Sequence, residues 1–231
     1  INIFSKETLP QMNEESPDLD DFRDININDF MKKLESIETN GNAIYFNNKE
    51  MKNNRYSWLS MFKSIKPFSF ENHTYPTIEH AYNANKYNIS KKPLQKLYFN
   101  KFNMESPTYI GSNPISANEA GQQSTIDDTY KDSKSFEMKS SENLIILMYT
   151  ILYAYLTKNS NLYMLIKKET KQLPLIYTDK RDNLLWGKDK DTKEGYNLYG
   201  KLLMLFRQDG LINYEFSGFF KTNSIKSLLS S

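Results

Sequence analysis

The chain contains no cysteine. That excludes a disulfide framework, a cysteine nucleophile and a thiolate metal site, and it makes a reducing, cytoplasmic setting the expected one. Histidine is nearly as scarce, with His73 and His80 the only two among 231 residues. Two imidazoles cannot furnish the usual three-ligand catalytic zinc without carboxylates, so no metal and no other cofactor is expected. Charge of one sign is lacking too: 30 Lys and Arg against 28 Asp and Glu leave +2. Such a chain has no strong field to draw it onto DNA or an anionic membrane, so a nucleic-acid ligand is permitted but not indicated. The longest apolar stretch, Leu144 to Leu156, carries Tyr and Thr and falls short of the roughly 20 residues of a membrane span. It reads as a core helix. The opening INIFSKETLP has no basic segment followed by an apolar one, so no signal peptide is expected.

What is present is enough for one core. With 39% hydrophobic and 14% aromatic residues in 231, the expectation is one compact domain, mainly α with a small β component (α+β). Residues Glu14 to Asp29 are acidic and interrupted by Pro17, which suits a solvated arm. Asn28 is the expected cap of a short appended helix with an apolar stripe of Phe30, Met31, Leu34 and Ile37. Ala43 to Phe46 reads as a strand, and Lys66 to Tyr75 as two strand pieces around a Glu71-Asn72 turn. Pro76 and Thr77 open a helix to about Tyr87. Between Lys91 and Ser135 short helices are expected, one over Ala117 to Ser124. Ser141 begins the strongest helix, which ends near Lys158 to Asn161, and another follows from Leu162 to Lys171. Leu175 to Tyr177 is a strand candidate. Asn197 caps a last helix to Gln208, stopped by Gly210. The expected division is an arm with its helix at 1–42, a domain at 43–210 and a loosely tethered extension at 211–231.

Two groups of residues could carry chemistry. Glu79, Tyr82 or Asn83, and Lys86 share one face of their helix, and the positive helix end favours the charged form of Glu79. That suits a base, a nucleophile or a stabiliser of positive charge. A solvated Glu-Lys face is the bland alternative, and for His80 it is a hydrogen-bonding partner in the interior. The second group is Asp182, Trp186, Gly187, Asn197, Gly200, Met204 and Arg207. Positions 197, 200, 204 and 207 share a face, Arg207 can fork onto a phosphate, and the amides at Asn197 could receive an anion. Trp186 could stack on a ring, though a tryptophan is more often simply core.

Several elements together resemble those of the NADAR, or YbiA-like, family. Tyr75-Pro76-Thr77-Ile78-Glu79-His80 followed by Asn85-Lys86-Tyr87 is similar to that family's "YPTvEHyfqaqKf" signature. Leu59-Ser60-Met61-Phe62 resembles "LSNF", Ala117-Asn118-Glu119-Ala120 resembles "tpgEA", and Leu144 to Leu162 resembles the family's long helix. Trp186-Gly187 and the run Asn197 to Arg207 resemble "WG....G.N.lGklLM..R". The matches keep their order from about Asn54 to Gln208. Met61 stands where the family has Asn, Phe136 is the nearest residue to its Trp before the long helix, and Asp182 lies one position from its usual Asp.

The resemblance implies hydrolysis of N-glycosidic bonds to ribose. Its implied substrates are ADP-ribose attached to a guanine base, or early ribosyl phosphates of the riboflavin pathway. It implies Glu79 as the carboxylate at the anomeric carbon with Asp182 assisting, and Ser60, Lys86, Trp186, Gly187, Asn197, Gly200 and Arg207 as substrate-binding residues. Lys86 and Arg207 with the Asn197 cap would suit a diphosphate, which favours an ADP-ribose-containing small molecule or ADP-ribosylated nucleic acid as partner. No protein partner is required. A noncatalytic ADP-ribose binder that sequesters a nucleotide is the reading from another class.

Overall fold

A computed structural model describes residues 22–48, 54–88, 99–122, 142–178 and 184–217. Six α-helices dominate these residues: α1 Ile27–Ser36, α2 Ile78–Asn88, α3 Pro114–Gln122, α4 Glu142–Lys158, α5 Ser160–Thr170 and α6 Leu198–Asp209. The strands are short: β1 Phe22–Asn26, β2 Ile44–Phe46, β3 Phe68–Phe70, β4 His73–Tyr75, β5 Leu175–Tyr177 and β6 Asn213–Ser217. They pair only two by two, β1 with β6 and β2 with β5 in parallel, β3 with β4 antiparallel. The molecule is thus mainly α with a small β component, around one hydrophobic core.

The core is built on α4. Its residues at 144, 147, 148, 151, 152 and 155 are buried, but so are Ile145, Ile146, Tyr149 and Leu156, as befits a helix covered on most sides. The Tyr149 ring stacks on Phe206 of α6 with centroids 4.7 Å apart, and its hydroxyl donates to the Ile212 carbonyl at 2.5 Å. The β3-β4 hairpin turns at Glu71 and Asn72, with φ 48° and 62°. Two left-handed residues in a two-residue loop match the right-handed twist of paired strands.

Four expectations at the element level are corrected. The cap of α1 is Asn26, whose side-chain oxygen accepts from the Asn28 amide at 2.8 Å; Asn28 itself lies in the first turn. Helix α1 belongs to the main core, because Phe30 and Leu34 are fully buried and Phe30 meets Tyr149 and Phe216 edge-on at 5.1 and 5.0 Å. Residues 22–26 and 213–217, expected in a solvated arm and a loose tail, pair from Phe22 with Asn213 to Asn26 with Ser217. Residues 14–21 and 218–231 lie outside the described residues. Helix α3 starts at Pro114, three residues before the expected Ala117. Proline at a first helical position loses no intrahelical bond, and Asn113 caps it by accepting from the Ile115 amide at 3.0 Å.

Candidate functional site

The first turn of α2 is held by its own sequence. The Thr77 hydroxyl oxygen accepts from the His80 amide at 3.3 Å and lies 2.8 Å from His80 Nδ1, while His80 Nε2 sits 3.0 Å from the Gly111 carbonyl. A carbonyl only accepts, so Nε2 carries the proton and Nδ1 receives the Thr77 hydroxyl proton. Burial, partly offset by the Gly111 carbonyl, pushes the His80 pKa down to about 4. A neutral imidazole with both nitrogens engaged is a clamp between α2 and the loop before α3, the interior partner anticipated for it.

Glu79 follows directly from this clamp. Its amide donates to the Met61 carbonyl at 3.3 Å, and its carboxylate is 6% exposed with its residue. Oxygen Oε1 accepts from Asn83 Nδ2 at 2.8 Å within α2 and from Asn118 Nδ2 at 2.8 Å across from α3. Asn83 also donates to the Ala117 carbonyl at 3.2 Å. This geometry excludes a solvated charge face.

Lys86, on the same face of α2, donates to the Gly121 carbonyl at 3.1 Å and lies over the Tyr82 ring, 5.4 Å from its centroid. Burial lowers its pKa to about 8, and the nearby Glu79 charge opposes that fall. Trp186 is buried; its indole donates to the Tyr82 hydroxyl at 3.2 Å and its ring meets Tyr82 at 86°. The indole therefore supports Tyr82 from inside. Ser60 closes the loop at 57–62, donating to Asn48 at 2.6 Å and accepting from the Phe62 amide at 3.0 Å. The Tyr199 hydroxyl donates to the Leu59 carbonyl at 3.0 Å, tying that loop to α6. Burial, the Tyr155 hydroxyl and the Glu79 charge together raise the Tyr199 pKa.

The start of α6 is a junction. The amides of Asn197, Leu198 and Tyr199 donate to the carbonyls of Gly187, Leu185 and Trp186 at 3.1, 3.2 and 3.1 Å. The expectation of open amides there is corrected, since loop carbonyls take the role an anion would have. Asn197 adopts a left-handed backbone, φ 53° and ψ 36°, and its side chain stands in for a neighbouring strand. It donates to the Leu175 carbonyl at 2.8 Å and accepts from the Tyr177 amide at 2.9 Å. Gly200 admits this contact, because a Cβ there would lie 2.2 Å from the Leu175 carbonyl oxygen. Arg207 lies ten residues beyond Asn197, about 15 Å along the axis. Its guanidinium donates to Thr170 Oγ1 at 2.9 Å and to the Leu173 carbonyl at 2.8 Å, and burial lowers its pKa.

The structure therefore gathers Glu79, Lys86, Ser60 and Trp186 around α2, with Gly187, Asn197 and Gly200 in the adjoining junction. It sets Arg207 at the far end of α6. Asp182 lies outside the described residues. Asn118 was not singled out in the sequence. Its partner is 39 residues away, beyond any helical periodicity, whereas Asn83 is legible as the i+4 neighbour of Glu79. Among the described residues, no group of three or more His, Asp or Glu is arranged to hold a metal ion, and no helix is long and apolar enough to cross a membrane.

No family model matches the chain, and no curated protein matches it. Among solved structures, the chain is similar to the NMR structure of the E. coli protein YbiA. The identity is 20% and the TM-score 0.49, over 74% of this chain and 88% of that one.

Proposed function

We propose that the chain is an N-glycosidase that hydrolyses the bond between the anomeric carbon of a ribose and a base nitrogen, with Glu79 as the carboxylate at the reacting carbon. The observation that carries this reading is the fixed, buried Glu79 carboxylate, held on one oxygen by amides from two helices. Burying a charge is costly unless hydrogen bonds compensate for it, so a carboxylate held this way has been given one orientation. Ribosyl transfer passes through an oxocarbenium-like state, which a preorganised carboxylate stabilises. Glu79 would take a proton from the attacking water as its oxygen bonds to the anomeric carbon. The electron pair of the breaking C–N bond goes to the leaving nitrogen, and Lys86, still protonated at neutral pH but with its pKa lowered by burial to about 8, would supply that nitrogen with a proton. Return of the proton from Glu79 to Lys86 resets the pair. Asp182 is proposed to assist; Ser60 acts by holding the 57–62 loop, Trp186 by backing Tyr82, and Gly187 through the junction at the start of α6. Asn197 and Gly200 act through the junction they build.

The first proposed substrate is ADP-ribose on a nucleobase, one of the two substrates that the family resemblance implies. A riboflavin-pathway ribosyl phosphate is the second reading, favoured by the commitment of Arg207 and the α6 amides to protein carbonyls, which suits one phosphate better than two. Incubation with ADP-ribosylated guanine in DNA and, separately, with the ribosyl phosphate distinguishes them by which releases free base or amine. Glu79→Ala is expected to lower kcat by about 10²-fold or more. Tight ADP-ribose binding without turnover, unchanged in Glu79→Ala, would instead establish a sequestering protein.

A further inference from the structure

We infer that Asn83 and Asn118 are positioning residues for Glu79, and that the missing side chain of Gly121 is what lets Asn83 reach it. This rests on the reading of Glu79 as the reacting carboxylate. Both amides end on the same oxygen, Oε1, each at 2.8 Å, so together they fix the plane in which the carboxylate lies. Hydrogen bonds donated to a carboxylate also favour its charged form. The two donors come from different helices. The orientation of Glu79 therefore depends on how closely α3 lies against α2.

That approach is set at Gly121. A Cβ at this position would fall 2.2 Å from Asn83 Oδ1, 2.5 Å from Cγ and 2.9 Å from Nδ2. All three are atoms of the Asn83 amide, at the end of a side chain that can move. A methyl group at 121 would therefore displace the amide that grips Glu79 and leave the α3 backbone where it is. Glycine inside a helix destabilises it by roughly 0.5–1 kcal/mol relative to alanine. By propensity alone Gly121→Ala should strengthen α3, so its expected damage falls on the Asn83 amide and on the two groups that amide holds, the Glu79 carboxylate and the Ala117 carbonyl. Among the described residues, Lys86 of α2 and Tyr199 of α6 are titratable groups that feel the Glu79 charge.

The test reads the carboxyl carbon of Glu79 by NMR titration in the parent protein, Asn118→Ala, Asn83→Ala and Gly121→Ala, alongside melting temperature and kcat. The midpoint of Glu79 is expected to rise by about one pH unit or more in all three variants. Gly121→Ala should lower the melting temperature no more than Asn83→Ala does, while kcat falls at least tenfold and KM changes little. An unmoved Glu79 midpoint in Gly121→Ala and Asn118→Ala would overturn the inference whatever the activity. A shifted midpoint in a parent protein that hydrolyses neither ribosyl substrate would sink the glycosidase reading and leave the positioning intact.

Discussion

His80 is held neutral by its surroundings, and that has a measurable cost in acid. Its pKa of about 4 in the folded protein lies below the ordinary value near 6.5, so the unfolded chain binds a proton first. The stability from the neutral imidazole is complete above pH 6.5. It is lost progressively as the pH falls from 6.5 to 4, by up to about 3 kcal/mol. Urea unfolding of the parent and of His80→Gln across this window should show a shallower pH dependence in the variant. Equal slopes would mean that another group titrates. Lys86 is shifted in the same direction by the same cause, since burial brings it down to about 8. An ammonium in that range exchanges its proton readily at neutral pH, a property an exposed lysine on the same helix face would lack.

At the scale of elements, the capping and turn chemistry was legible where it is local. The Glu71-Asn72 turn, the opening of α2 after Pro76-Thr77 and the stop of α6 at Gly210 can all be read from neighbouring residues. Asn113-Pro114 carries an equally local start signal, three residues before the expected Ala117. The start of α6 was not legible in this way. Its amides look open in sequence, and only the folded loop at 184–187 shows that carbonyls fill them. The same holds for Asn197, which looks like a helix cap and acts as the edge of a strand. Asn197→Ala should therefore cost more than a lost cap. It strands the Leu175 carbonyl and the Tyr177 amide in the interior and puts alanine in a left-handed conformation that asparagine tolerates better. Thermal unfolding is expected to show a loss of about 2–4 kcal/mol, whereas a change under 1 kcal/mol would reduce Asn197 to an ordinary cap.

Over the whole molecule, the two ends of the described chain meet. Strands β1 and β6 pair, Phe30 packs among Tyr149, Tyr214 and Phe216, and Lys33 bridges to Asp209 at 2.5 Å. Composition made the first segment look like a solvated arm because its partner strand is 191 residues away, from Phe22 to Asn213, a separation that no local pattern encodes. Phe30→Ala is expected to lower the stability of the entire core by about 3–5 kcal/mol, with one cooperative transition by circular dichroism and by tryptophan fluorescence. Two separate transitions would return α1 to the status of an appendage. The same closure brings α2, α3, the 57–62 loop and the start of α6 into one neighbourhood. Glu79 stands at their meeting point, and the most direct test is a crystal structure with ADP-ribose bound. The anomeric carbon is expected to face a Glu79 carboxylate oxygen with room for one water between them, that water lying within roughly 3–3.5 Å of the carbon; a sugar bound elsewhere, with Glu79 facing only Asn83 and Asn118, would contradict the assignment of Glu79 as the reacting carboxylate.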